Sequence, residues 1–181
     1  MKIGLYAGSF DPVTSGHLDI IRRAATQYDR VVVAVATNSA KKHMFTQSER
    51  VTMLLDALGE GDGKATYLAG GQAFDKPQDP KFIVTFLPPS RMLAEFALKF
   101  VGAVALIRGL RAMSDFEAEF QLNMINKKLV PEIDTVFFMT SPEQLYTSSS
   151  IAKEVASIGG DLSHFVPPNV ATKLLQAVGR A

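Results

Sequence analysis

Between a short apolar run and the start of a helix, the chain carries GSFDPVTSGHLDII, Gly8 to Ile21. Two glycines, the hydroxyls of Ser9 and Thr14 and the imidazole of His17 stand where a strand hands over to a helix. Their spacing matches neither the dinucleotide fingerprint nor the Walker loop. Helix N-termini present unpaired N–H groups and a positive dipole end, and glycines let backbone approach phosphate oxygens, so the turn reads as an anion site. The same dipole lowers the affinity of His17 for a proton unless an anion is nearby; a structural histidine that bonds its own loop explains the residue equally well.

The other chemically capable residues also follow apolar runs. Asn38, Lys41, Lys42 and His43 come after VVVAVA, Arg108-Gly-Leu-Arg111 comes after AVALI, and Thr147–Ser150 come after TVFFM. Cations and hydroxyls from separate loops suit a polyphosphate ligand, which guanidinium forks grip bidentately. Taken singly, each has a plainer reading. Ser15, Thr46 and part of the TSSS run read as helix caps, and the two lysines read as a solvated surface pair. Arg108 divides evenly between a ligand contact and a charge paired at the end of the sheet. His43 and His164 are assigned to surface or packing roles. No Gly-x-Ser-x-Gly elbow and no histidine-carboxylate cluster with metal-ligand spacing occurs, so serine acyl chemistry and a protein-held zinc are unsupported.

Positioning these residues requires strands alternating with helices. Strands are expected at Lys2–Ala7, Val31–Ala36, Ala65–Ala69, Ala103–Ile107 and Thr135–Met139. Helices are expected at Gly16–Tyr28, after Thr46, at Arg91–Phe100 with Ser90 as N-cap, at Asp115–Leu129, near Ile151–Ile158 and at Asn169–Val178. Thr46-x-x-Glu49 and Ser114-x-x-Glu117 have capping-box spacing. Prolines and charges surround FIVTFL within residues 70–90, a segment read as an insertion whose apolar part could add an edge strand. The expected fold is α/β, a doubly wound five-stranded parallel sheet of Rossmann-like form with helices on both faces and C-terminal helices.

Length and composition agree with this. A chain of 181 residues with 47% hydrophobic and 20% charged content suits one soluble domain. A formal net charge of +1 provides no broad basic field for nucleic acid or an anionic membrane. The absence of cysteine agrees with a reducing compartment, and without a signal-like segment or a long apolar run the expected location is cytoplasmic.

Ser9-Phe10-Asp11-Pro12 followed by Thr14-x-Gly16-His17 resembles the signature of the nucleotidyltransferases whose hallmark is (Thr/His)-x-Gly-His after the first strand. Together with KKHMFTQSER (Lys41–Arg50), IRGLRAMSDFEAEFQL (Ile107–Leu122), TSSS and IAKEV (to Val155), the chain resembles the bacterial phosphopantetheine adenylyltransferase family over nearly everything except about 70–90. That resemblance implies a single nucleotidyltransferase domain over 1–181. It implies reversible transfer of AMP from ATP to 4′-phosphopantetheine, giving dephospho-CoA and pyrophosphate in coenzyme A synthesis.

It also implies residue roles. His17 donates to the α-phosphate in the transition state, and Ser9, where the family commonly has Thr, contacts substrate. Lys41 orients the attacking phosphate, Arg108 binds the pantetheine phosphate and Leu93 meets the pantetheine arm. Phe10, Gly109, Leu110 and Arg111 belong to the ATP site, with Arg111 on the β,γ-phosphates, joined by Glu119 and by a loop of Gln144, Leu145, Tyr146, Thr147, Ser148, Ser149 and Ser150. Members often place an aromatic at the position of Gln144. Magnesium is expected on the phosphates rather than in a protein cage, coenzyme A as a product-like or feedback ligand, and a homohexamer as the assembly. A sister cytidylyl- or mononucleotide adenylyltransferase is the nearest enzymatic alternative, and a flavodoxin-like or nucleotide-sensing module that binds without turnover is the non-enzymatic one.

Overall fold

Runs of consecutive apolar, β-branched residues build the middle of the structure, because a parallel strand covered on both faces has no solvent side. The computed structural model describes residues 1–37, 42–59, 65–69, 74 and 80–180, the side chains of 113 and 114 excepted. Its strands are β1 (Ile3–Gly8), β2 (Arg30–Ala36), β3 (Ala65–Tyr67), β4 (Phe82–Leu87), β5 (Ala105–Leu110) and β6 (Asp134–Met139). They form one sheet in the order β3-β4-β2-β1-β5-β6, and every pairing is parallel. Helices α1 (Ser15–Ala24), α2 (Gln47–Gly59), α3 (Leu93–Glu95), α4 (Met113–Leu129), α5 (Ser149–Ile158) and α6 (Pro168–Ala177) connect and follow the strands.

Alternation along the strands divides the core. Val31, Val33 and Val35 face one apolar cluster with Ile21 of α1, Leu54 of α2, Ala152 of α5 and Leu174 of α6. Val32, Ala34 and Leu5 face the other, with Ala94 of α3 and with Phe96 and Val101 just beyond it. After β2, β3 and β4 the chain returns to the far side of β1, so the sheet's topological switch lies between β1 and β5, where open α/β sheets bind ligands.

The sheet has six strands rather than the five expected. The extra one is FIVTFL, and it is not an edge strand: β4 sits between β2 and β3, in register from Val31↔Phe82 to Ala36↔Leu87. Pro80 and Pro88 bound the strand without interrupting it, so no ladder donor is lost inside it. The second half of the segment expected as an insertion is thus part of the sheet. β5 also runs further than expected, because β6 pairs with it through Arg108↔Phe137, Gly109↔Phe138 and Leu110↔Met139.

Local signals fare unevenly. The Thr46–Glu49 capping box forms, with Thr46 N–H donating to Glu49 Oε2 at 2.7 Å and Glu49 N–H to Thr46 Oγ1 at 3.3 Å. The first helix ends at Ala24, short of Tyr28. The Arg91–Phe100 helix is instead one short turn capped by Met92, not Ser90, which runs into a π-helical segment, Phe96–Val101, and stops at Gly102 in the left-handed region with φ 69°. α4 starts from Ala112 without a side-chain cap, and the side chain of Ser114 lies outside the described residues.

An internal strand predicts a core-sized cost for truncation. Ile83 is fully buried, so Ile83→Ala should lower unfolding stability by about 2–5 kcal/mol in denaturant titration, whereas a loss under about 0.5 kcal/mol would mean that β4 is dispensable.

Candidate active site

The carboxyl ends of β1, β2 and β5 open into one cleft of about 560 Å³. Its first wall is the β1–α1 turn. Thr14 is the N-cap of α1 and forms a capping box with His17: His17 N–H donates to Thr14 Oγ1 at 3.3 Å, and Thr14 N–H donates to His17 Nδ1 at 3.1 Å. A backbone N–H can only donate, so Nδ1 is unprotonated and the neutral ring carries its proton on Nε2. The half-buried ring lies edge-on to Phe10, centroids 5.1 Å apart, with Tyr6 at 6.4 Å. Burial pulls its pKa down to about 4, and the charges of Arg111 and Arg108 push in the same direction.

The second wall comes from β5 and α4. Arg108 donates through Nε to Glu119 Oε2 at 2.6 Å, through Nη2 to Glu119 Oε1, and through Nη1 to the carbonyl of Ala7 at 3.0 Å. Arg111 is held by Asp115, with Nε–Oδ2 3.0 Å and Nη2–Oδ1 3.2 Å. The two carboxylates are four residues apart, hence on one face of α4, and each receives one guanidinium fork. Gly109 lets α1 approach: a Cβ there would lie 3.3 Å from Ile20 Cγ1. The phenol of Tyr6 is pushed up to about 12, chiefly by burial, and so stays neutral.

The third wall is the start of α5. Ser148 is its N-cap, accepting from Ile151 N–H at 3.1 Å, and Ser149 donates to the carbonyl of Pro12 at 2.8 Å. Behind the turn, the fully buried Arg50 ties the ends of β1 and β2 together, donating through Nη1 to the carbonyls of Ser9 at 2.5 Å and Ala36 at 3.0 Å.

Of the residues expected at a site, Ser9, His17, Arg108, Gly109, Arg111, Glu119 and Thr147–Ser150 all line this cleft. Phe10 and Leu110 are buried behind it. Leu93 packs against the apolar cluster that contains α3, Gln144 lines a separate groove beside Asp19 and Arg22, and Leu145 and Tyr146 are exposed, Tyr146 at 78%. Lys41 and Asn38 lie outside the described residues, but Lys42 lines the cleft. Sequence reasoning missed Asp11, Arg50, Asp115 and Lys153, and placed His43 at the surface or in packing, although it lines the cleft. Asp115 alone left a signal, standing four residues after Arg111 and four before Glu119.

A cleft with guanidinium forks, a helix N-terminus and a neutral imidazole donor is chemically suited to phosphates and to charge that builds on one of them. With a folded-state pKa below the ordinary 6.5, the neutral ring contributes stability that is complete above about pH 6.5 and lost as pH falls towards 4. NMR of the His17 ring nitrogens should therefore report the Nε2–H tautomer from pH 8 to 5, with protonation centred near 4; a midpoint near 6.5 would refute the capping-box tautomer.

The sequence and the fold both have known relatives. The cytidylyltransferase-like family model matches residues 5–155. A phosphopantetheine adenylyltransferase of Caldanaerobacter subterraneus is 42% identical over 177 residues, covering 97% of each chain. That of Moorella thermoacetica is 43% identical, covering 99% of each, and that of Lachnoclostridium phytofermentans is 46% identical, covering 94% of this chain and 91% of its own. Among solved structures, a protein of Vibrio parahaemolyticus described as a candidate nicotinate-nucleotide adenylyltransferase matches in fold with a TM-score of 0.63 at 14% identity, covering 99% of this chain and 96% of that one.

Proposed function

The chain belongs to the cytidylyltransferase-like family and, within it, to the phosphopantetheine adenylyltransferases, and from that membership we propose how its cleft works. The enzyme transfers an adenylyl group reversibly from ATP to 4′-phosphopantetheine, giving dephospho-CoA and pyrophosphate, a step of coenzyme A biosynthesis. The attacking group is already an ionised phosphate at neutral pH, so no general base and no covalent intermediate is required. The protein's task is to align the two phosphates and to meet the charge that grows on the α-phosphate.

In this reading His17 donates Nε2–H to the α-phosphate, and the observation that carries it is the capping box, which leaves that proton facing away from Thr14. Ser9 contacts both substrates at the end of β1. Lys41 and Arg108 take the phosphate of 4′-phosphopantetheine, and Leu93 meets its arm. Phe10, Gly109, Leu110 and Arg111 belong to the ATP site, Arg111 on the β,γ-phosphates, with Glu119 on the nucleotide side and Gln144–Ser150 closing over it. Arg108 and Arg111 exchange Glu119 and Asp115 for phosphate oxygens, so the cations are paired before and after binding.

Magnesium would be held by the phosphates of ATP rather than by a cage of protein side chains. Among the described residues no three metal-ligating side chains converge. When bound, the ion would supply charge neutralisation at those phosphates.

The assembly we propose is a cytoplasmic homohexamer, with dephospho-CoA and coenzyme A as ligands of the same cleft. Phe120, Met124, Ile125 and Leu129 of α4 are exposed, as is Met139 on the edge strand β6, an apolar face of the kind that copies of a chain cover for one another. No described helix is long and apolar enough to cross a membrane.

Pyrophosphate release on mixing ATP with 4′-phosphopantetheine tests the roles. His17→Ala should lower kcat by about 10²–10³-fold with the Kd for ATP nearly unchanged, and equal losses in both would make the residue structural. Light scattering should give a particle of six 19.7 kDa chains that Ile125→Asp breaks into smaller species; a wild-type monomer would contradict the assembly.

A further inference from the structure

Asp11 is a carboxylate only 4% exposed, and the reaction described above gives it no part. Its oxygens gather donors from two distant stretches of chain. From the loop before α2, Met44 N–H reaches Oδ1 and Oδ2 at 3.1 and 3.0 Å, and Phe45 N–H reaches Oδ1 at 2.9 Å. From α5, Lys153 Nζ reaches Oδ2 at 3.0 Å, and His43 Nδ1 stands 3.8 Å from the same oxygen. The next residue extends the junction, since the carbonyl of Pro12 accepts from Ser149.

Burying a carboxylate costs free energy that only multiple donors offset, and one used merely to fill space would be replaced at no loss by an apolar side chain. Here burial opposes ionisation, yet the backbone bonds of Met44 and Phe45 and the charge of Lys153 hold the carboxyl below the usual carboxylate range. The oxygens are filled by these partners, so Asp11 works through what it holds. It holds the loop from which Lys42 and His43 line the cleft and the helix from which Ser148–Ser150 line it.

We propose that Asp11 is a positioning residue that sets the Lys42–Phe45 loop against the cleft and, through Lys153, ties that setting to the helix α5. With this loop read as the acceptor-phosphate side, the inference rests on the site assignment above; the positioning role itself requires only that Asp11 and Lys42 affect the same substrate.

The test is steady-state kinetics of the full chain carrying Asp11→Asn, with Lys42→Ala as the comparator and a thermal melt to confirm cooperative folding. Asp11→Asn should raise the KM of one substrate about tenfold, as loss of a charged, multiply bonded anchor implies, and leave the other within about threefold. That substrate should be the one whose KM rises in Lys42→Ala. If it is 4′-phosphopantetheine, the acceptor-side assignment holds as well; if both variants raise the KM of ATP, positioning stands and that assignment fails. Asp11→Asn raising both KM values together, raising neither, or raising one that Lys42→Ala leaves alone would overturn the proposal. Should Asp11→Asn not fold, Lys153→Met removes a single donor and is expected to raise the same KM several-fold, and an effect on the other substrate alone or none would overturn it. Where both fold, the double variant should be no worse than Asp11→Asn, since the two act as a unit.

Discussion

A backbone N–H has no acceptor capacity, so the bond from Thr14 to His17 Nδ1 decides which nitrogen of the ring holds a proton before any substrate arrives. The same bond closes the first turn of α1, because Thr14 is both the N-cap that receives His17 N–H and the residue whose own N–H the ring satisfies. Local folding and chemical preparation are here one arrangement. Burial, helped by the charges of Arg111 and Arg108, keeps the imidazole neutral, and neutrality is what lets it remain an acceptor for Thr14 while holding a proton on the other nitrogen.

Around that ring the cleft is balanced in charge. Glu119 and Asp115 occupy the guanidinium forks of Arg108 and Arg111, and of the two it is the half-buried Arg108 that would otherwise be a costly cation at the end of a parallel sheet. In the proposed reading a phosphate binds by exchange, gaining the difference between its own bonds and those of a carboxylate. Such exchange suits an enzyme that must release pyrophosphate and dephospho-CoA as well as bind ATP, since neither product leaves unpaired arginines behind.

Much of this was legible in the sequence where the signal is local. VVVAVA reads as a doubly covered strand and is one, with Val31–Val35 fully buried. Thr46 and Glu49 announce a helix start and make both bonds of the box. FIVTFL was misjudged because its flanking prolines and charges outweighed a composition that, apart from Thr85, matches VVVAVA in being apolar throughout. The extent of β5 was not legible, because it depends on how far β6 runs beside it. At the site, motif residues close to strand ends were found. Asp11 was not, since the donors that define it lie 33, 34 and 142 residues along the chain and leave no local trace beyond a turn-like Asp-Pro. Arg50 escaped for the same reason: on a helix in sequence it is one polar residue among several, and only the fold brings it under the carbonyls of Ser9 and Ala36.

The central claim is that the β1–α1 turn delivers a neutral histidine donor to the α-phosphate. A crystal structure with dephospho-CoA bound tests it most directly. Nε2 of His17 should lie about 2.7–3.2 Å from an oxygen of the phosphate attached to the adenosine ribose, with Nδ1 still accepting from Thr14. A ring turned away from that phosphate, or an α-phosphate bound with Nδ1 rather than Nε2 facing it, would contradict the account.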